Sequence, residues 1–177
     1  MIIEHQCGIK NAMFSIRNFI IFFGIILITL IIIFFNPEAR AKRLVNKGLE
    51  EAKEHNFNTA GQIFQKAARI CPECYLARYN LGNVFLATDH YEEALNEFYA
   101  AASIRPKDPL PLYEIARIHA IIGHKETALY YLELSIKNGF SDMKRLNNDP
   151  DFIKYHSEER FKKLIKIYEA IQNQRDK

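Results

Sequence analysis

A repeat with a period of 34 residues, starting near residue 41, restricts the fold of this chain more than any other feature of its sequence. Four sets of positions recur in register: Gly48, Gly82 and Ala116; Ala60, Ala94 and Ala128; Phe64, Phe98 and Leu132; Ala67, Ala101 and Ser135. A period of this length indicates one supersecondary unit that buries its apolar face by stacking on copies of itself.

Each copy is predicted to form two amphipathic helices. In the middle copy, Leu81, Val84 and Phe85 have helical spacing before a polar turn, and Phe98 lies on the apolar face that follows it. A small residue at Gly82 allows the two helices to approach closely. Each copy is therefore expected to be a helix hairpin.

This pattern resembles the tetratricopeptide repeat (TPR). The matching residues of the middle copy are Leu81, Gly82, Phe85, Ala94, Phe98, Ala101 and Pro106. The resemblance covers about residues 41–140 and implies an all-α solenoid of three TPR hairpins, at about 41–74, 75–108 and 109–140, within a repeat region of 38–140. The outer copies depart from the pattern, as terminal repeats are expected to do.

The last part of the chain, 141–177, looks like the closing segment that often ends TPR arrays in bacterial proteins. We expect it to form capping helices over the open face of the last hairpin. The apolar residues expected to make this contact are Phe152, Phe161, Leu164, Ile165 and Tyr168.

A second feature is the apolar segment that begins at Phe19 and ends at Phe35, which contains no charged residue. As a helix it would extend about 25 Å, close to the roughly 30 Å of a bilayer's hydrocarbon core. The sequence therefore predicts a short N-terminal tail at 1–18, a transmembrane helix at 19–36 and a single-pass membrane protein.

Several alternatives stay open for this N-terminal part. The segment could instead be a signal peptide cleaved near Ala39-Arg40-Ala41, although it is longer than the usual apolar region of such peptides. Basic residues flank it on both sides, so they do not settle on which side of the membrane the repeats lie. Met13 is an alternative start of the chain.

No catalytic, cofactor-binding or metal-binding residues are predicted, and the chain is not expected to be an enzyme. A net charge of +3 gives no reason to expect nucleic acid as a partner. His119 and His124 are five residues apart in the sequence, a spacing that favours ordinary packing over metal ligation. Cys71 and Cys74 are compatible with two small residues at a tight connection, with a local disulfide in an exported domain, or with metal or redox chemistry.

The TPR resemblance implies that the first helix of each hairpin lines a concave groove. The groove residues predicted on this basis to bind a protein or peptide are Asn46, Leu49, Tyr79, Asn80, Asn83, Tyr113 and Arg117. Tyr79 and Tyr113 are one period apart, and tyrosine is enriched at binding hot spots. The residues that grip C-terminal carboxylates in one TPR subclass are replaced here, except for Asn80.

These features together predict a membrane-anchored interaction module, a scaffold or adaptor that binds a peptide or helix of a partner protein. The alternatives are a noncatalytic subunit of a membrane enzyme or secretion complex, and an envelope protein that forms homo-oligomers.

Overall fold

The computed structural model describes residues 18–19, 21–29 and 36–175. The chain divides into two compact units, Met1–Arg40 and Ala41–Lys177.

The structure corrects the expectation of a single-pass membrane protein. Within the described ranges, no helix is both long and apolar enough to cross a bilayer. The predicted localisation and transmembrane helix are therefore contradicted. Residues 20 and 30–35 of the predicted span, and the predicted tail before residue 18 with Met13, lie outside the described residues.

The chain from Pro37 onward is a succession of α-helices. In chain order they are α1 (Pro37–Lys53), α2 (Phe57–Ile70), α3 (Tyr75–Ala87), α4 (Tyr91–Ile104), α5 (Pro109–Ile121), α6 (Lys125–Lys137), α7 (Met143–Asn148), α8 (Pro150–Ile153) and α9 (Glu159–Arg175). Helices α3 and α4 pack against each other, as do α5 and α6, and α2 and α4 contact the first helix of the next hairpin. The prediction of an all-helical, TPR-like solenoid is confirmed.

The turn inside each hairpin repeats with the same period as the sequence. His55, Asp89 and Gly123 have φ angles of 61°, 59° and 82°, the left-handed conformation that often ends a helix. In each turn, the next backbone N–H donates to a carbonyl five residues earlier; the pairs are Asn56 to Glu51, His90 to Phe85 and His124 to His119. The three hairpins therefore share one turn geometry.

Glycine is required where the helices of the first two hairpins cross. A Cβ atom at Gly82 would lie 2.8 Å from Cε1 of Phe98, and one at Gly48 would lie 2.6 Å from Cε1 of Phe64. Both aromatic rings are completely or almost completely buried. The close approach fixes which side of the first helix faces inward, and so which side is left open.

The closing segment continues the repeat register. Contacts to the third hairpin join residues 34 positions apart: Arg117 with Asp151, the carbonyl of Ala120 with Lys154, and Glu126 with Arg160. Helices α7 and α8 thus take the place of a first helix, and α9 takes the place of a second. Phe152, Phe161 and Leu164 are buried in the core of the third hairpin, and Ile165 and Tyr168 pack against it. The segment is a degenerate fourth repeat.

Candidate functional site

The open side of α3 combines apolar, aromatic and amide groups. Leu76, Asn80 and Asn83 are spaced four and three residues apart and so lie on one helix face, with Tyr79 beside them. Leu76 is 50 % exposed, and the other three are partly exposed. The side-chain amide of Asn80 donates to the carbonyl of Leu76 at 2.7 Å, which leaves its own oxygen available as an acceptor.

The equivalent positions of α1 and α5 complete what we call the groove face. Three rows of residues, each spaced by one repeat, define it: Lys42, Leu76 and Leu110; Asn46, Asn80 and Glu114; Leu49, Asn83 and Arg117. Lys42 and Asn46 are exposed and Leu49 is half-buried. Leu110 is 38 % exposed, so an apolar side chain is open to solvent in the same row on two successive hairpins.

Tyr79 is held rigidly beside these rows. Its ring stacks on Tyr75 with centroids 5.7 Å apart and meets Phe98 edge to face at 5.7 Å. Burial is the main reason that the pKa of Tyr79 is raised to about 12, and the nearby carboxylate of Glu114 adds to the effect. The phenol therefore stays protonated at neutral pH. Because its ring is already fixed by Tyr75 and Phe98, it can donate a hydrogen bond with little further loss of side-chain entropy.

Tyr113, the counterpart of Tyr79 in the third hairpin, is completely buried. Its ring stacks on Phe140 with centroids 4.3 Å apart, the guanidinium of Arg145 lies 4.5 Å above it, and its hydroxyl donates to Asp149 at 2.8 Å. Burial and this carboxylate raise the pKa of Tyr113. The side chain therefore offers no surface to a partner in this structure.

Arg117 is also engaged by the closing segment. Its guanidinium lies 2.8 Å from the carboxylate of Glu114 and 3.0 Å from those of Asp149 and Asp151. Burial disfavours its charge, but Glu114 and Asp149 outweigh that effect and raise its pKa. Glu114 is only 2 % exposed and also contacts Arg145 at 2.5 Å. Two arginines therefore neutralise this buried carboxylate.

A cleft of about 480 Å³ lies where the carboxyl ends of α3 and α5 face the closing segment. Carboxylates on two of its sides belong to Asp89 and Asp151, and the hydroxyl of Tyr91 donates to Asp89 at 2.7 Å. Burial and the neighbouring Asp149 raise the pKa of Asp151, against the opposing effect of Arg117. Asn83 also lines the cleft, which is therefore continuous with the groove face.

The predicted groove residues are thus divided between two environments. Asn46, Leu49, Tyr79, Asn80 and Asn83 lie on the parts of α1 and α3 that the closing segment does not bind, whereas Tyr113 and Arg117 are bound by it. Their role in binding stays a prediction.

Sequence reasoning missed three residues of the groove face, Lys42, Leu76 and Leu110. A usable signal was present, because Leu76 and Leu110 are one period apart, four residues before Asn80 and Glu114. Leucines at those positions lie away from the Gly82 contact and have no core to enter.

The two cysteines of the connection between the first and second hairpins form a disulfide bond, with Cα atoms 5.3 Å apart. Of the alternatives that the sequence left open, the structure therefore has the local disulfide. Cys74 directly precedes α3, and Arg78 reaches back from α3 to the carbonyl of Pro72 at 3.4 Å. The bond closes the connection that leads into the groove face.

His119 and His124 form an aromatic stack with Tyr131. The ring of His119 is nearly parallel to that of Tyr131 at 5.9 Å and lies 5.7 Å from that of His124. Nε2 of His119 is 3.2 Å from the hydroxyl of Tyr99. Burial and the neighbouring His124 lower the pKa of His119.

Comparison with known proteins finds likeness in sequence and in structure, although no protein-family model matches the chain. It is 28 % identical over 91 residues to a curated chloroplastic protein of Arabidopsis thaliana, a match that covers 50 % of this chain and 27 % of that protein. The chain thus spans about a quarter of the length of this curated relative.

Solved structures resemble the chain over a larger share of its length. The Sgt2 TPR domain of Aspergillus fumigatus has a TM-score of 0.58 and 17 % identity, covering 65 % of this chain and 78 % of that one. The type III secretion chaperone SycD of Yersinia enterocolitica, in complex with a peptide of the translocator YopD, has a TM-score of 0.55 and 17 % identity, covering 76 % and 93 %. The chain has the fold of the tetratricopeptide-repeat proteins.

Proposed function

We propose that this protein is a noncatalytic interaction module that binds an extended segment of a partner protein along its groove face. The observation that carries this proposal is the pair of exposed leucines, Leu76 and Leu110, one repeat apart and flanked by Tyr79 and Asn80. Tyrosine is enriched at binding hot spots, and the two leucines, which lie in the same row on adjacent hairpins, can exclude water around the ring of Tyr79.

The chemistry of the face suits an extended backbone. The partly exposed amides of Asn80 and Asn83 can each form a hydrogen bond with a peptide group, worth about 0.5–1.5 kcal/mol. Covering the exposed parts of the two leucines adds about 1 kcal/mol each. Because these contacts must offset the entropy lost on association, we expect an affinity nearer micromolar than nanomolar.

The solved structures support peptide binding only by analogy of fold. The SycD structure contains a peptide of YopD, and its fold is similar to that of this chain. At 17 % identity the likeness does not carry over any binding residue, so the proposal depends on the composition of the groove face itself.

A site-specific photo-crosslink in cells of the native host tests the proposal. A photoreactive amino acid is placed at Leu76 and, as a matched control, at Tyr130, which is 54 % exposed on α6. We expect one defined adduct from position 76, weakened several-fold by Leu110→Ala, and none of that mass from position 130. An adduct from position 130 alone would contradict the proposal, and an adduct with the mass of two copies would favour a homo-oligomer instead.

A further inference from the structure

The first row of the groove face changes character along the solenoid. Its members Lys42, Leu76 and Leu110 occupy the same place in three successive first helices, and all three are exposed. The row therefore presents a cation on α1 and an apolar surface on α3 and α5.

Lys42 is exposed and lies four residues after Glu38, the acidic residue in the first turn of α1. Within the part of the chain that the structure describes, no ion pair includes Lys42. Helix α3 contains no acidic residue, and its one charged residue, Arg78, is paired with Glu97 at 3.0 Å. On α5 the carboxylate of Glu114 is neutralised by Arg117 and Arg145.

The carboxyl ends of α3 and α5 offer a different electrostatic environment to a charged ligand group. The cleft beyond Asn83 is lined by the carboxylates of Asp89, Glu114 and Asp151 and by the guanidinium groups of Arg117 and Arg145. Because both guanidinium groups are already paired with carboxylates, the cleft attracts an acidic ligand group less than Lys42 does. The charge distribution thus separates the two ends of the face.

We propose that the bound segment carries an acidic side chain that faces Lys42 and an apolar side chain that packs on Leu76, the next member of the same row. This inference rests on the proposed function, because it names the chemistry of the segment that the groove face accepts.

The fold sets the spacing between these two side chains. Val45 of α1 and Leu81 of α3 belong to one apolar core, and neighbouring helices that share a core lie about 10 Å apart. An extended peptide advances about 3.3 Å per residue, so one helix-to-helix step corresponds to about three residues. The acidic and apolar positions of the segment are therefore about three residues apart.

Selection from a library of short random peptides displayed on phage, against the immobilised full chain, tests this pattern. We expect the retained peptides to share an apolar residue with Asp or Glu about three positions away. The Lys42→Glu variant should instead select Lys or Arg at that position. Lys66→Glu, an equal charge change on the exposed side of α2, should leave the acidic preference intact.

The outcomes separate this inference from the function on which it rests. If apolar residues are enriched without an acidic partner, or if Lys42→Glu selects the same peptides, the inference fails and the groove still binds peptides. If no peptide is retained, or if a Leu76→Ala/Leu110→Ala variant retains the same peptides equally well, the proposed function fails.

Affinity of the selected peptide, measured by fluorescence anisotropy, provides a quantitative check. Replacing Lys42 by Ala should weaken binding about 3- to 5-fold at low salt, as expected for an exposed ion pair, and less at high salt. Replacing the acidic residue of the peptide by its amide should cost the same factor, and the two changes together should cost no more than either one. Additive losses would show that the two groups do not face each other.

Discussion

At the scale of single residues, the two side chains that meet where the helices of a hairpin cross have complementary sizes. Gly82 faces Phe98 at a distance that excludes a Cβ atom, whereas the third hairpin has Ala116 and Leu132 at the same two positions. The smaller leucine leaves room for the methyl group of alanine. The hairpins therefore fill the same space with two different pairs of side chains.

This pairing predicts compensation. Gly82→Ala should lower the free energy of unfolding by about 1–3 kcal/mol through overpacking, and Phe98→Leu should lower it through lost contacts. The double variant Gly82→Ala/Phe98→Leu, which copies the third hairpin, should lose clearly less than the sum of the two single changes. Urea denaturation measures all three variants. Additive losses would show that the two side chains do not compete for one space.

The partly buried side chain of His119 predicts a pH dependence. Because burial and His124 lower the pKa of His119 in the folded chain, the unfolded chain binds the proton more tightly. Above the ordinary histidine pKa of 6.5, His119 is neutral in both states and the folded chain keeps its full stability. Below that pH the unfolded chain takes up the proton more readily, so the free energy of unfolding decreases. The free energy of unfolding should fall between about pH 7 and about pH 5, and His119→Gln should reduce that fall. An unchanged pH profile in the variant would contradict the assignment.

At the scale of the elements, the hairpin turns place different residues in one left-handed conformation. Glycine adopts it without steric cost, whereas for other residues it costs about 1 kcal/mol. His55→Gly should therefore raise the free energy of unfolding by about 1 kcal/mol, and Gly123→Ala should lower it by about the same amount. Thermal or urea unfolding checks both signs. Shifts in the same direction would mean that the turns are not equivalent.

The closing segment depends on one buried carboxylate. Asp149 accepts a hydrogen bond from the hydroxyl of Tyr113, caps α8 and lies 3.0 Å from the guanidinium of Arg117. Asp149→Ala should cost about 3 kcal/mol, because it removes one of the three carboxylates around a partly buried arginine and leaves the buried hydroxyl of Tyr113 without its acceptor. Asp142→Ala removes an exposed cap of α7 and should cost only about 1 kcal/mol. Equal losses in urea denaturation would contradict a special role for the buried network.

At the scale of the whole molecule, the sequence predicted the parts of the fold that depend on local, repeated contacts. The hairpins follow from the period, because each crossing involves residues within one copy, such as Gly82 and Phe98. The groove residues of α3, Tyr79, Asn80 and Asn83, were predicted from the TPR resemblance, which implies that the first helices line the groove. The burial of Tyr113 and the ion pairs of Arg117 could not be predicted, because they depend on Arg145, Asp149 and Asp151, which lie in a segment that departs from the repeat pattern.

The apolar segment shows a different limit of sequence reasoning. Its composition indicates how favourably such side chains would enter lipid, but composition alone does not establish the length over which the backbone is helical. In the part of this segment that the structure describes, no helix is both long and apolar enough to cross a bilayer.

Methyl NMR of the leucine-labelled full chain tests the central claim, that the groove face is the binding surface, most directly. The titration uses a peptide selected on the immobilised full chain. The account predicts that the methyl signals of Leu49, Leu76 and Leu110 shift in proportion to the fraction of protein that is bound. Those of Leu134 and Leu164, on α6 and α9, should stay in place. Shifts confined to α6 and α9, with Leu76 and Leu110 unchanged at saturation, would place the binding surface elsewhere and contradict the account.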